Sequence, residues 1–122
     1  SFFEYRYPLL DRAVEWEGIS VAALKDIACM KLDTVASRGS RRDFVDLYCI
    51  LQQGYRVDEL LGWFAKKFRG IDFNRGHLLK SLTYFDDAEQ DPMPTCHFKV
   101  TWPQVKKYFQ REVPRVVKEF FA

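Results

Sequence analysis

The chain of 122 residues predicts a mainly α fold of the α+β kind, with one or two short strands confined to its N-terminus. Three observations carry that prediction. Apolar residues recur at helical spacing in every long stretch after Ser20. Gly39, Gly54 and Gly70 fall between those stretches and punctuate them. Strand-like alternation is limited to the aromatic-rich start, Phe2 to Tyr7. The length holds one domain, 1–122, with a real core but no room for a second.

The elements follow in order. Phe2-Phe3-Glu4-Tyr5-Arg6-Tyr7 reads as a strand closed by Pro8, and Val14 with Trp16 as one face of a second before Gly18. Ser20 is a good N-cap, after which Leu24, Ile27, Ala28 and Val35 define a helix to about Arg38, stopped by Gly39. Ser40-Arg41-Arg42-Asp43 has capping-box form, with an acidic residue at the third helical position. The helix it opens carries Phe44, Val45, Leu47, Tyr48, Cys49, Ile50 and Leu51, apolar nearly all round, so it is expected to be central and to end at Gly54. A third helix runs from Val57 to Phe68 with Leu60, Leu61, Phe64 and Phe68 inward. Asn74 to Phe85 predicts a shorter one carrying Leu78, Leu79 and Leu82. Asp86 to Pro94 reads as an acidic, proline-bounded loop, followed by a brief strand at His97 to Val100. Thr101 caps a last helix that opens Trp102-Pro103, and Pro114 is expected to kink or split it near Val113.

Composition narrows the function. A net charge of +2 gives no support for nucleic-acid binding through bulk charge. Lys106, Lys107, Arg111, Arg115 and Lys118 read as a solvated face of the last helix, and Lys66, Lys67 and Arg69 as cations set against the dipole of the third. The aromatic content of 16% is high enough that some rings are expected to face a partner. Cys29, Cys49 and Cys96 are an odd number without metal-ligand spacing, which points away from a disulfide framework or zinc site and toward a reducing, cytoplasmic setting. No apolar run reaches the ~18 residues of a membrane span, so no membrane partner is expected. His77 and His97 read as rim histidines, and no Ser or Cys stands near a base at a spacing that would support hydrolysis.

One residue is out of place. Stepping ~100° per residue from Leu24 puts Ile27, Ala28 and Val35 within ~60° of it, with Lys31 between them. A lysine on a core-facing stripe is costly unless it snorkels to the rim or is paired. Arg38 falls on the same face two turns on, whereas Asp33 lies opposite and reads as solvated. Arg38, Arg41 and Arg42 converge on the joint between the first two helices, with Asp43 and Asp46 on the second. Lysine meets phosphate as a point charge and arginine as a planar fork, so the group points to phosphate handling. The plainer alternatives are a capping role for Asp43 and a structural ion pair from Asp46 to Arg38 or Arg42.

The order Lys31-Leu32-Asp33, then Arg38-Gly39-Ser40-Arg41-Arg42-Asp43-Phe44-Val45-Asp46-Leu47-Tyr48, resembles the C-terminal motifs of the AbiEii/AbiGii toxin family. Tyr7-Pro8-Leu9-Leu10, Leu79 to Glu89 and Trp102-Pro103-Gln104-Val105-Lys106 extend the likeness over nearly the whole chain. The resemblance implies the helical C-terminal part of a nucleotidyltransferase-like fold, and a toxin of a type IV-like toxin–antitoxin pair active in abortive infection by phage. It implies nucleotide transfer from an NTP with Mg²⁺ in the complete protein, with RNA a candidate acceptor and a cognate antitoxin as partner. Lys31, Arg38 and Arg42 would then bind the triphosphate, and Lys31, Asp43 and Asp46 would be the catalytic group. Residues 1–27 contain neither the Gly-Ser phosphate loop nor the Asp-x-Asp metal pair that such proteins carry upstream. The expectation is therefore the C-terminal half of a longer protein, or a truncated relative. Such a chain has no metal ligands of its own, needs no cofactor to fold and is inactive without an N-terminal catalytic half. A non-catalytic helical protein-interaction domain on the same scaffold is the alternative.

Overall fold

A computed structural model describes residues 21–94 and 99–121. Among them are six helices and no strand: α1 Val21–Ser37, α2 Arg41–Leu51, α3 Val57–Lys67, α4 Arg75–Ser81, α5 Asp86–Glu89 and α6 Trp102–Phe121. The fold is mainly α. Both strands expected before Ser20 lie outside the described residues, as do His97 and Phe98 of the third; Lys99 and Val100 are not in a strand.

The centre is α2, as its all-round apolar surface demands. Every residue from Asp43 to Leu51 is buried, which a helix achieves only with neighbours on several sides. Those neighbours are α1, α5 and α6. Phe44 sets the packing distance to the C-terminal part of the chain, its ring lying 5.3 Å from Phe85, 5.8 Å from Trp102 and 6.0 Å from Phe109. Tilted and edge-on arrangements at these separations are favourable beyond the area they bury. The α1 helix also packs against α3 and α4, and α6 closes over both.

The joint between α1 and α2 positions the site. The Arg38 and Gly39 N–H groups both donate to the Thr34 carbonyl, at 2.8 and 3.3 Å, which wraps the last turn of α1. Gly39 then takes φ +60, a conformation costly for residues with a Cβ. Ser40 caps α2 by accepting from the Asp43 N–H. The chain thus reverses within three residues and lays α2 alongside α1.

Three expectations need correction. The helix predicted over Asn74 to Phe85 stops at Ser81, where the Ser81 and Thr83 hydroxyls take the carbonyls of Leu78 and Lys80 at 2.7 and 3.1 Å. Such local side-chain bonds compete with helix continuation. The acidic loop after it begins with a single helical turn, α5. It persists because the Arg41 guanidinium holds the carbonyls of Ala88 and Glu89, at 3.0 and 3.2 Å. Pro114 does not split α6, which continues through it. The proline stands on the exposed side, while Val105, Phe109, Val113 and Val116 anchor the helix to the core before and after it.

Candidate functional site

The structure assembles Lys31, Asp43 and Asp46 into one buried ion triad. Lys31 projects from the inward stripe of α1, and the two aspartates stand one turn apart on the facing side of α2. Its Nζ lies 2.9 Å from Asp46 Oδ2 and 3.3 Å from Asp43 Oδ1, and all three side chains are about 5% exposed. The ammonium does not snorkel to the rim; it is taken under with the stem. The other Asp43 oxygen accepts the Ser40 hydroxyl at 2.7 Å. Asp43 therefore binds a side-chain hydroxyl and an ammonium instead of the backbone N–H groups expected of its capping position. One cation against two carboxylates leaves the triad with a formal charge of −1. Lys31 keeps both carboxylates from being stranded in a low-dielectric interior, where a lone charge is expensive.

The triad does not fit Mg²⁺. Its carboxylates already bracket an ammonium and a hydroxyl, and among the described residues no three His, Cys, Asp or Glu side chains converge as metal ligands. Nor is the start of α2 an open anion cradle. The Arg41 N–H donates to Asp91 Oδ2 at 3.0 Å and the Asp43 N–H to Ser40 Oγ at 3.3 Å.

The arginines separate instead of converging. Arg41 is a strut: besides holding α5, its guanidinium lies 3.6 Å from the Glu89 carboxylate and 4.7 Å from the centre of the Trp102 ring. Glu89 also accepts the Trp102 indole N–H and pairs with Lys106 at 3.0 Å. The indole N–H first, and then the Lys106 ammonium, hold the Glu89 carboxyl below its usual range. Arg42 is exposed beside the start of α2. Arg38 is not on the inward face. The helix ends at Ser37, so Arg38 sits in the turn, out of helical phase, and its side chain is exposed.

Arg38 instead lines a groove of about 350 Å³ between the end of α1, α4 and α5, with His77, Lys80, Tyr84 and Asp87 on its other walls. No motif links these residues. The available hint is that α4 buries Leu78 and Leu79 but exposes His77 and Lys80, which leaves its polar side facing this groove. Thiol and phenol chemistry find no support at Cys29 or Tyr108. Burial pushes the Cys29 thiol up to about 11 and the Tyr108 phenol up to about 12, so both stay protonated at neutral pH. No described helix is long and apolar enough to cross a membrane.

Comparison with known proteins agrees with the motif order. The family model described as nucleotidyl transferase AbiEii toxin, Type IV TA system, matches residues 5–121. An uncharacterized protein of Aquifex aeolicus (strain VF5), aq_aa25, is 42% identical over 116 residues, covering 93% of this chain and 54% of its own length. The chain thus spans about half the length of the curated relative it matches. No solved structure matches.

Proposed function

The chain belongs to the AbiEii nucleotidyl transferase toxin family of type IV toxin–antitoxin systems, and we propose that its Lys31–Asp43–Asp46 triad forms one wall of the site where such a toxin handles a nucleoside triphosphate. The observation that carries this reading is the triad itself: two helices converge to bury three charges where apolar side chains would pack as stably. Charges buried together at one joint are one of the features by which functional sites are found.

In this reading Asp43 and Asp46 fix the Lys31 ammonium in direction. The triad as a whole is formally −1, so its part in this reading is to fix the α1–α2 joint. The attraction for the triphosphate comes from Arg42, exposed beside that joint. Carboxylates for Mg²⁺ are then other than the triad's, because the triad's own are committed to lysine. The chain alone does not transfer nucleotide. An antitoxin partner and a cytoplasmic site of action belong to the same proposal.

The test is the full-length toxin carrying Lys31→Met, Asp43→Asn and Asp46→Asn together, which removes the charges while preserving size. The expected result is a folded protein that neither arrests growth nor incorporates labelled nucleotide. A folded triple variant with undiminished toxicity defeats the reading. One observation favours the interaction-domain alternative: an open groove of about 600 Å³ between α4 and α6, lined by Leu79, Val113 and the 39%-exposed Val117. Retained activity in the triple variant, with loss on Val117→Asp, would support that alternative.

A further inference from the structure

The groove beside the α1–α2 joint has a composition that the triad lacks. Arg38 enters from the end of α1, Lys80 and His77 from α4, Tyr84 from the turn after it and Asp87 from α5. Most described cations near carboxylates are spoken for: Lys31, Arg41, Arg56, Lys67, Lys106, Arg111 and Arg115 all sit in ion pairs. Among the described residues, neither Arg38 nor Lys80 makes one. Two uncommitted cations facing one concavity form an anion-attracting surface, with arginine able to grip a phosphate as a fork and lysine as a point charge.

The rest of the lining narrows the anion. Tyr84 is 50% exposed and lines the groove, supplying a ring on which a base can stack. A carboxylate is also present. Arg38 and Lys80 against Asp87 give a formal charge of +1, which balances one phosphodiester but not a triphosphate, whose extra negative charge would face Asp87. The Asp87 carboxylate and the Ser37 hydroxyl oxygen are acceptors for sugar hydroxyls or base amino groups. The volume, near the lower end of the range for small-ligand pockets, suits one nucleotide. A base inside a duplex could not reach Tyr84, so the strand must be single.

We propose that this groove binds one phosphodiester-linked nucleotide of a single-stranded nucleic acid, with the phosphate on Arg38 and Lys80 and the base on Tyr84. The site is distinct from the triad and goes beyond its role. Arg38 follows Lys31 by seven positions, which places a held strand roughly 10 Å along α1 from the ammonium. Any coupling between the two sites rests on the triad reading; the groove's binding does not.

Fluorescence anisotropy of the 122-residue chain with a 5′-labelled six-nucleotide RNA at low salt tests the proposal. Arg38→Gln with Lys80→Gln is expected to weaken binding at least about tenfold and to flatten its salt dependence. Tyr84→Ala should weaken it about fivefold or more with the salt slope unchanged. Lys107→Gln, an exposed cation elsewhere on α6, should leave affinity within about twofold. Competition separates the sources of phosphate: unlabelled oligonucleotide should displace the probe at lower concentration than ATP or inorganic phosphate. Wild-type affinity in the double variant, stronger competition by ATP, or no binding by the wild-type chain overturns the proposal. The neutral triad variant should bind the oligonucleotide normally, so failure of the triad reading and failure of this one are distinguishable.

Discussion

The triad and the groove lie two turns apart along one helix and treat charge in opposite ways. At the triad, Lys31 is buried against two carboxylates, and its charge is outweighed before any ligand arrives. At the groove, Arg38 and Lys80 stand in water, and no described acidic group pairs with them. Stability and recognition are thereby divided. Removing Lys31 alone strands two buried carboxylates, whereas the groove's cations are exposed and contribute little to folding. In the readings proposed above, the buried charges belong to the scaffold that aims a site, and the exposed charges beside an aromatic belong to capture.

That contrast is broken most directly at Lys31. Lys31→Met strands two buried carboxylates and is expected to cost about 3–5 kcal/mol in urea unfolding. Adding Asp43→Asn and Asp46→Asn should recover most of the loss, and a triple variant as unstable as the single one would show that the triad contributes more than charge compensation. Ser40→Ala removes the α2 cap and the hydroxyl on Asp43 together, and should cost about 1–2 kcal/mol by the same measurement.

Glu89 gives a smaller, pH-dependent effect at the Arg41–Trp102 joint. Its carboxyl is held below the ordinary 4.5 by the Trp102 N–H and Lys106. A depressed folded-state pKa contributes stability that is complete above the ordinary value and is lost as the pH falls through the folded one. Wild type and Glu89→Gln should therefore differ most at neutral pH and converge in acid below about 4.5. A gap that widens in acid would contradict that assignment. The smallest effect belongs to the groove: Arg38→Gln should alter stability by no more than about 0.5 kcal/mol while still weakening oligonucleotide binding. A large stability loss there would mean that Arg38 is part of the scaffold after all.

Local chemistry was legible in the chain. Ser40 and Asn74 start helices where their side chains can cap them, and Gly39 stops one where φ turns positive. Periodicity placed Lys31 on the core-facing stripe and made α2 central, because both are properties of neighbours within a few residues. The order of Lys31, Asp43 and Asp46 also pointed to the family. Tertiary structure decided the rest. It chose which carboxylates would meet the lysine, Asp43 and Asp46 together, when arginines nearer in sequence were equally plausible partners. It turned Arg38 out of phase at the helix end, and it made Arg41 a strut by giving it Glu89, 48 residues away, and Trp102. It built the α5 turn on that same guanidinium and kept α6 whole through Pro114 by anchoring it on both sides. The physical reason is range: caps, turns and helical faces are settled over one or two turns of chain. Pairing of charges and assembly of a groove depend on side chains that come together only after the helices have packed.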